Sequence, residues 1–220
     1  MIVTITFFQE EIEAIYGVRA PRVIDFLVDR EGARNAAGEP RAPEALLVRE
    51  SEGELELGLF LDDDVVSAAD SADPHDPRPL LTEPSSLPHL ACAAEGVSHF
   101  VYLATRAAAG RPVSLLELEV QAEVDKFALL VLHLWRRGLR RLSPALRRRL
   151  FERVRYHAHL DDAELERYRL ANHLGGGYAC WLESRYVEGA DVEGLLRELR
   201  QSYRLGGGEK LGYLGARTRH

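Results

Sequence analysis

The hydrophobic period of this chain changes once, and the change falls at a proline cluster. Ahead of it, Glu54-Leu55-Glu56-Leu57-Gly58-Leu59-Phe60-Leu61 alternates apolar and polar residues. A period of two gives a strand with one dry face and one wet face. Ala45-Leu46-Leu47-Val48-Arg49-Glu50 precedes it across Glu52-Gly53, so the spacing predicts an antiparallel hairpin over 45–61. Asp73-Pro74-His75-Asp76-Pro77-Arg78-Pro79, with Pro84 and Pro88, then denies the chain regular structure. From His89 onward the apolar residues recur at three and four, the helical spacing. The pattern predicts an α+β protein, mainly α. A small N-terminal part (1–72) carries the hairpin, 73–88 is a Pro-rich linker, 89–205 forms a four- to five-helix bundle, and 206–220 is a flexible tail.

Local signals place the remaining elements. Phe8–Tyr16 reads as a short helix stopped by Gly17. Arg22–Val28 fits either helix or strand, and Glu31–Pro43, rich in Gly, Ala, Pro and Asn, reads as a loop. His89–Ala109 is the first long helix, ended by Gly110. Ser114 with Glu117 forms the capping-box pattern that opens the second, which runs to Arg137 before Gly138. Ser143-Pro144 starts a third helix with proline in its first turn. Asp161 with Glu164 caps a fourth that continues to about Tyr186, and Asp191 begins a fifth that stops at Gly206-Gly207-Gly208.

A net charge of −7 favours solubility and argues against a chain that is basic overall. Of 28 basic residues only Lys126 and Lys210 are lysine, a bias that points to a GC-rich bacterial coding sequence. Cys92 and Cys180 have no CxxC partner, so no zinc knuckle is visible, and both fit buried small residues in a reducing compartment. No leader pattern and no run of 18 apolar residues occurs, so the expectation is a soluble cytoplasmic protein that does not engage a membrane.

Chemistry concentrates on the first two long helices. On the second, the apolar stripe runs through Leu116, Val120, Phe127, Val131 and Leu134. Glu123 falls inside that stripe and Glu119 at its margin, with Lys126 just beyond, whereas Glu117, Gln121 and Asp125 point away. Two carboxylates one turn apart at a core edge are costly without a positive partner. On the first, Glu95, His99, Tyr102 and Arg106 make one polar column. Helices joined by Gly110–Val113 are expected to pack antiparallel, bringing the two sets level. Glu95, His99, Glu119 and Glu123 would then supply hard oxygens and one imidazole to a divalent metal (Mn, Fe or Mg), or act as acid–base groups, with Glu119, Glu123 and His99 as the catalytic candidates. Arg106 or Lys126 would contact an anion. The spacing Glu-x-x-x-His differs from the Glu-x-x-His of di-metal bundles. The structural alternative is a solvated face with Glu119 paired to Arg106.

Other features carry less. Arg147, Arg148 and Arg149 lie in a basic block from Arg136 to Arg155, which suits an acidic partner or nucleic acid; sparse aromatics and the acidic balance elsewhere make nucleic acid the lesser expectation. His157-Ala158-His159-Leu160-Asp161-Asp162 is similar to the His-x-His-x-Asp-His run of metallo-β-lactamase-type hydrolases, but the last histidine is replaced and Asp161 already serves as a cap. Gly175-Gly176-Gly177 interrupts a helical pattern at about 1 kcal/mol per glycine relative to alanine, which predicts close approach of a neighbouring helix at Gly175 or a break in the helix that opens a pocket. Asn172 beside that face is a structural polar contact. No Gly-x-Ser-x-Gly elbow is present. Two functional readings follow: a Glu/His site for a divalent metal or acid–base chemistry, and a non-catalytic interaction or regulatory module that is a homo-oligomer or binds through the arginine-rich helix.

Overall fold

The computed structural model of the chain describes residues 2–51, 54–71, 86–154, 156 and 160–218. The fold is α+β and mainly α: nine α-helices and one three-stranded sheet among the described residues. The chain divides into two compact units. Residues 1–13 and 18–112 form the first, and residues 14–17 and 113–220 form the second.

The first unit holds most of α1 (Ile2–Tyr16), β1 (Leu27–Val28), α2 (Arg30–Ala37), β2 (Glu44–Ser51), β3 (Glu54–Leu61), α3 (Asp63–Ser71) and α4 (Ser86–Ala108). β2 and β3 pair antiparallel with Ser51 opposite Glu54, so the hairpin register matches the period-two pattern. The connecting residues 52 and 53 lie outside the described residues, as do 72–85 of the proline-rich segment. β1 adds in parallel on the other edge of β3, giving the order β1-β3-β2. Burial follows from that position. Of the alternating leucines Leu59 and Leu61 are buried, whereas Leu57 is half-buried and Leu55 exposed, and Phe60 of the opposite face is buried too. α4 packs against the hairpin at Gly96, where a Cβ would meet Glu44 Cγ at 2.8 Å and Leu59 Cδ1 at 3.0 Å.

Buried polar side chains of α1 hold the irregular segment that follows. Gln9 donates to the Pro21 carbonyl (2.8 Å) and accepts from the Val23 amide (2.8 Å); Glu13 accepts from the Ala20 amide (3.1 Å) and from Arg19 (2.9 Å). These bonds satisfy backbone groups that no regular element serves. Two expectations are corrected here. Residues 31–43 are not all loop: Asp29 accepts from the Gly32 amide (2.7 Å) and caps α2, which ends at Gly38 with φ +88°. Arg22–Val28 is neither one helix nor one strand, but a 3-10 turn (Val23–Phe26) followed by β1.

The second unit comprises α5 (Leu115–Arg136), α6 (Ser143–Phe151), α7 (Asp162–Leu182), α8 (Val192–Arg204) and α9 (Gly207–Thr218). Ser114 accepts from the Glu117 amide (3.2 Å) at the head of α5, and Asp161 and Glu164 form both halves of a capping box on α7 (2.8 and 3.0 Å). α7 continues as a π-helical turn, Glu183–Val187. It is the hub of its unit, packing on α5, α6 and α9. The three consecutive glycines explain how. Each successive residue turns by about 100°, so each opens a different side. A Cβ at Gly175 would lie 2.5 Å from Glu123 Cβ of α5; at Gly176, 3.1 Å from Phe151 of α6; at Gly177, 2.1 Å from Thr218 Cγ2 of α9.

The segment expected as a loose tail is α9. Lys210 and Leu214 are fully buried in it, and a fully buried side chain requires a docked helix. Cys92 is half-buried and Cys180 is exposed, contrary to the expected pair of buried residues, and neither forms a disulfide.

Candidate functional site

In the first unit the expected histidine acquires a partner that the helical pattern did not reveal. His99 is 5% exposed, and its Nδ1 lies 3.2 Å from Oε1 of Glu44, the first residue of β2. A carboxylate partner favours the tautomer in which Nδ1 carries the proton, which in the neutral ring assigns the lone pair to Nε2. Half-buried Glu95 lies one turn earlier on α4, on the side of the helix that carries His99. The absence of a side chain at Gly96 lets Glu44 approach α4 at all. Arg106, also buried, places its guanidinium 5.5 Å over the Tyr102 ring.

Glu119 and Glu123 belong to the second unit, so the four-residue set read from the sequence is divided between the units. Within its unit Glu119 is buried, with Arg167 of α7 at 3.8 Å. Glu123 forms an ion pair with Lys126 at 3.1 Å and lies against Gly175. Burial, followed by the Glu123 carboxylate, pushes the Tyr156 phenol above its usual range. Lys126 is thus engaged with a carboxylate within α5.

The column that pointed away from the apolar stripe is deeply buried in the second unit. Glu117, Gln121 and Asp125 are each 1% exposed. Fifteen of the 22 residues of α5 are buried, so the helix has no fully wet face and the wheel argument for one fails. The Gln121 amide nitrogen donates to Asp125 Oδ1 (2.7 Å) and to the Tyr16 hydroxyl (3.2 Å), while Tyr16 donates to Asp125. Lys210 donates to the Gln121 carbonyl oxygen and stands 5.6 Å over the Tyr203 ring, which stacks on Tyr16 at 4.0 Å. The Glu117 carboxylate accepts from the Gly207 amide (2.9 Å) at the start of α9. Burial, then Asp125, pushes the Tyr16 phenol well above its ordinary range, so it remains a donor.

A second polar knot gathers on buried Glu198 of α8. Its Oε1 accepts from Tyr178 (3.0 Å) and Tyr213 (2.8 Å) and faces Arg217 Nε at 3.0 Å. The Arg217 guanidinium covers the Tyr213 ring at 3.5 Å and the Trp181 ring at 4.9 Å. Both tyrosines are raised above their usual range, first by burial.

The arginine block is partly used inside the unit. Arg147 binds buried Glu183 (3.0 Å) and Glu152 (3.3 Å), whereas Arg148 is exposed and Arg149 half-buried. Asn172 donates to the Phe151 carbonyl (3.1 Å) and so closes the end of α6, the structural contact expected of it. His157 and His159 lie outside the described residues. No helix among the described residues is long and apolar enough to cross a membrane.

Sequence reasoning missed Glu44, Tyr16 and the burial of Gln121, Asp125 and Lys210. One signal for the last was available: a lysine where nearly every other basic residue is arginine. No protein-family model, no curated protein and no solved structure matches this chain.

Proposed function

We propose that the first unit binds a divalent cation through His99 and Glu95, with Glu44 orienting the histidine. The buried Glu44–His99 pair carries this reading. A metal-bound histidine ordinarily gives its second N–H to a carboxylate, which sets the tautomer and strengthens the donor nitrogen. Glu95 and His99 at i, i+4 present two ligands from one helix face, the separation that paired helical ligands use. One imidazole with carboxylate oxygens suits Mn²⁺ or Fe²⁺, and Mg²⁺ less, since imidazole favours the later metals. The same His99 and Glu44 would serve as a general base where no cation is bound.

The test is calorimetric titration of the purified protein with Mn²⁺ and Zn²⁺, with metal content measured by mass spectrometry. H99A should abolish binding, and E44Q should weaken it about 10–100-fold by releasing the ring. Wild-type protein that takes up neither ion, or H99A protein that binds as wild type does, overturns the proposal. An interaction role through α6 is less supported, because Arg147 is engaged with Glu183 and Glu152 of its own unit.

A further inference from the structure

The cation site leaves unused the polar group buried on the other long helix. In the second unit a lysine amino group, an amide, a carboxylate and two phenol rings are packed together, with Lys210 0% exposed. Apolar side chains of equal volume would fill that space without desolvating an amine and a carboxylate. The arrangement therefore selects a chemical group and not merely a shape.

Its internal hydrogen bonds show which group. The Gln121 amide nitrogen is committed to Asp125 and Tyr16, so its carbonyl oxygen is fixed toward Lys210. Tyr16 donates to Asp125 and stacks on Tyr203, which holds the Tyr203 ring face at the amino group. An acceptor locked by its neighbours and an aromatic face together recognise a compact ammonium. A planar guanidinium has a different shape and donor geometry, and the chain places one of its two lysines here while using arginine almost everywhere else. The occupant arrives on a short helix entered through Gly206-Gly207-Gly208, with Gly207 at φ +53°.

We propose that Tyr16, Gln121, Asp125 and Tyr203 form a receptor for an alkylammonium group, filled by the chain's own Lys210, and that a free primary amine occupies it when that side chain is withdrawn. The experiment uses the full chain carrying K210A, which keeps Cβ and leaves room for three carbons and a nitrogen. Melting is followed at constant ionic strength during titration with n-propylammonium, with n-propanol and tetramethylammonium as controls. K210A should melt below wild type. n-Propylammonium should recover most of the loss saturably, the controls should not, and Q121L in the K210A background should remove the recovery. No recovery, or equal recovery with n-propanol, overturns the proposal, since the latter reports a plain cavity. If K210A does not fold, K210M decides: it matches the lysine stem without the amine. Melting equal to wild type refutes recognition of the ammonium, and a marked loss supports it.

Discussion

Replacing Gly175 with alanine tests the packing of the second unit with a sign as well as a size. Alanine is the better helix former by about 1 kcal/mol in a helix interior, so propensity alone makes G175A stabilising. The close approach of α5 opposes this. The new Cβ would lie 2.5 Å from Glu123 Cβ, an atom that no rotamer change can move. Carbon atoms rest about 3.5–4.0 Å apart, so α5 and α7 must separate by about 1 Å or deform. Overpacking of this kind costs about 1–3 kcal/mol, and a backbone-borne Cβ places G175A in the upper part of that range. The net expectation is a loss of about 1–2 kcal/mol after the propensity gain, or roughly 3–6 °C in Tm for a chain of this size.

G212A in α9 is the internal control. No atom lies within 4 Å of a Cβ there, so the propensity gain stands alone. It should stabilise by about 0.5–1 kcal/mol. Both residues belong to the second unit, so far-UV circular dichroism during heating and urea titration compares them in the same transition. A double-mutant cycle with E123G, which removes the opposing Cβ, should recover much of the G175A loss. G175A protein as stable as G212A protein would refute the close approach on which the packing of α7 rests.

Further outcomes follow from the buried polar groups. Tyr16, Tyr178 and Tyr213 are all raised above the ordinary phenol range by burial. In the unfolded chain they ionise near about pH 10, so the native state holds more protons above that value and stability falls as pH rises through it, while below it they contribute no pH dependence. Spectrophotometric titration should therefore find buried Tyr16 and Tyr178 ionising only with unfolding, with half-buried Tyr213 ionising late; free ionisation of Tyr16 and Tyr178 in the folded protein would contradict their burial. Y16F removes the donor to Asp125 and should cost about 1–3 kcal/mol by urea unfolding. Y213F should cost less, because Glu198 retains Tyr178 and Arg217. R147A strands buried Glu183 and should cost about 1–3 kcal/mol, whereas exposed R148A should be within about 0.5 kcal/mol of wild type; equal effects would remove the case for the Arg147–Glu183 pair.

The candidate site was half legible in the chain. Glu95 and His99 stand out because a helical wheel places them in one column, and both are on α4 as expected. Glu44 could not be found that way. It is the first residue of a strand, 55 positions from His99, and only the docking of the hairpin against Gly96 brings it near. α2 was hidden by its Gly, Ala and Asn content, which reads as loop until the Asp29 cap is recognised. Lys210 sat in a segment dismissed because three glycines precede it, although they open a helix.

Local patterns determined the fold class, the hairpin and its register, and the helices α4 to α8, because those depend on contacts between residues close in sequence; α1 starts at Ile2 and not at Phe8, and α2, α3 and α9 were not read as helices. Which polar groups are wet was decided only by tertiary structure. A wheel assumes that a helix has one dry side, and α5 has no fully wet one: Glu117, Gln121 and Asp125, which the wheel turned outward, meet Gly207, Lys210 and Tyr16 instead. Burial depends on what surrounds a helix, and those neighbours come from segments about 80–110 residues away along the chain, beyond the reach of any local pattern.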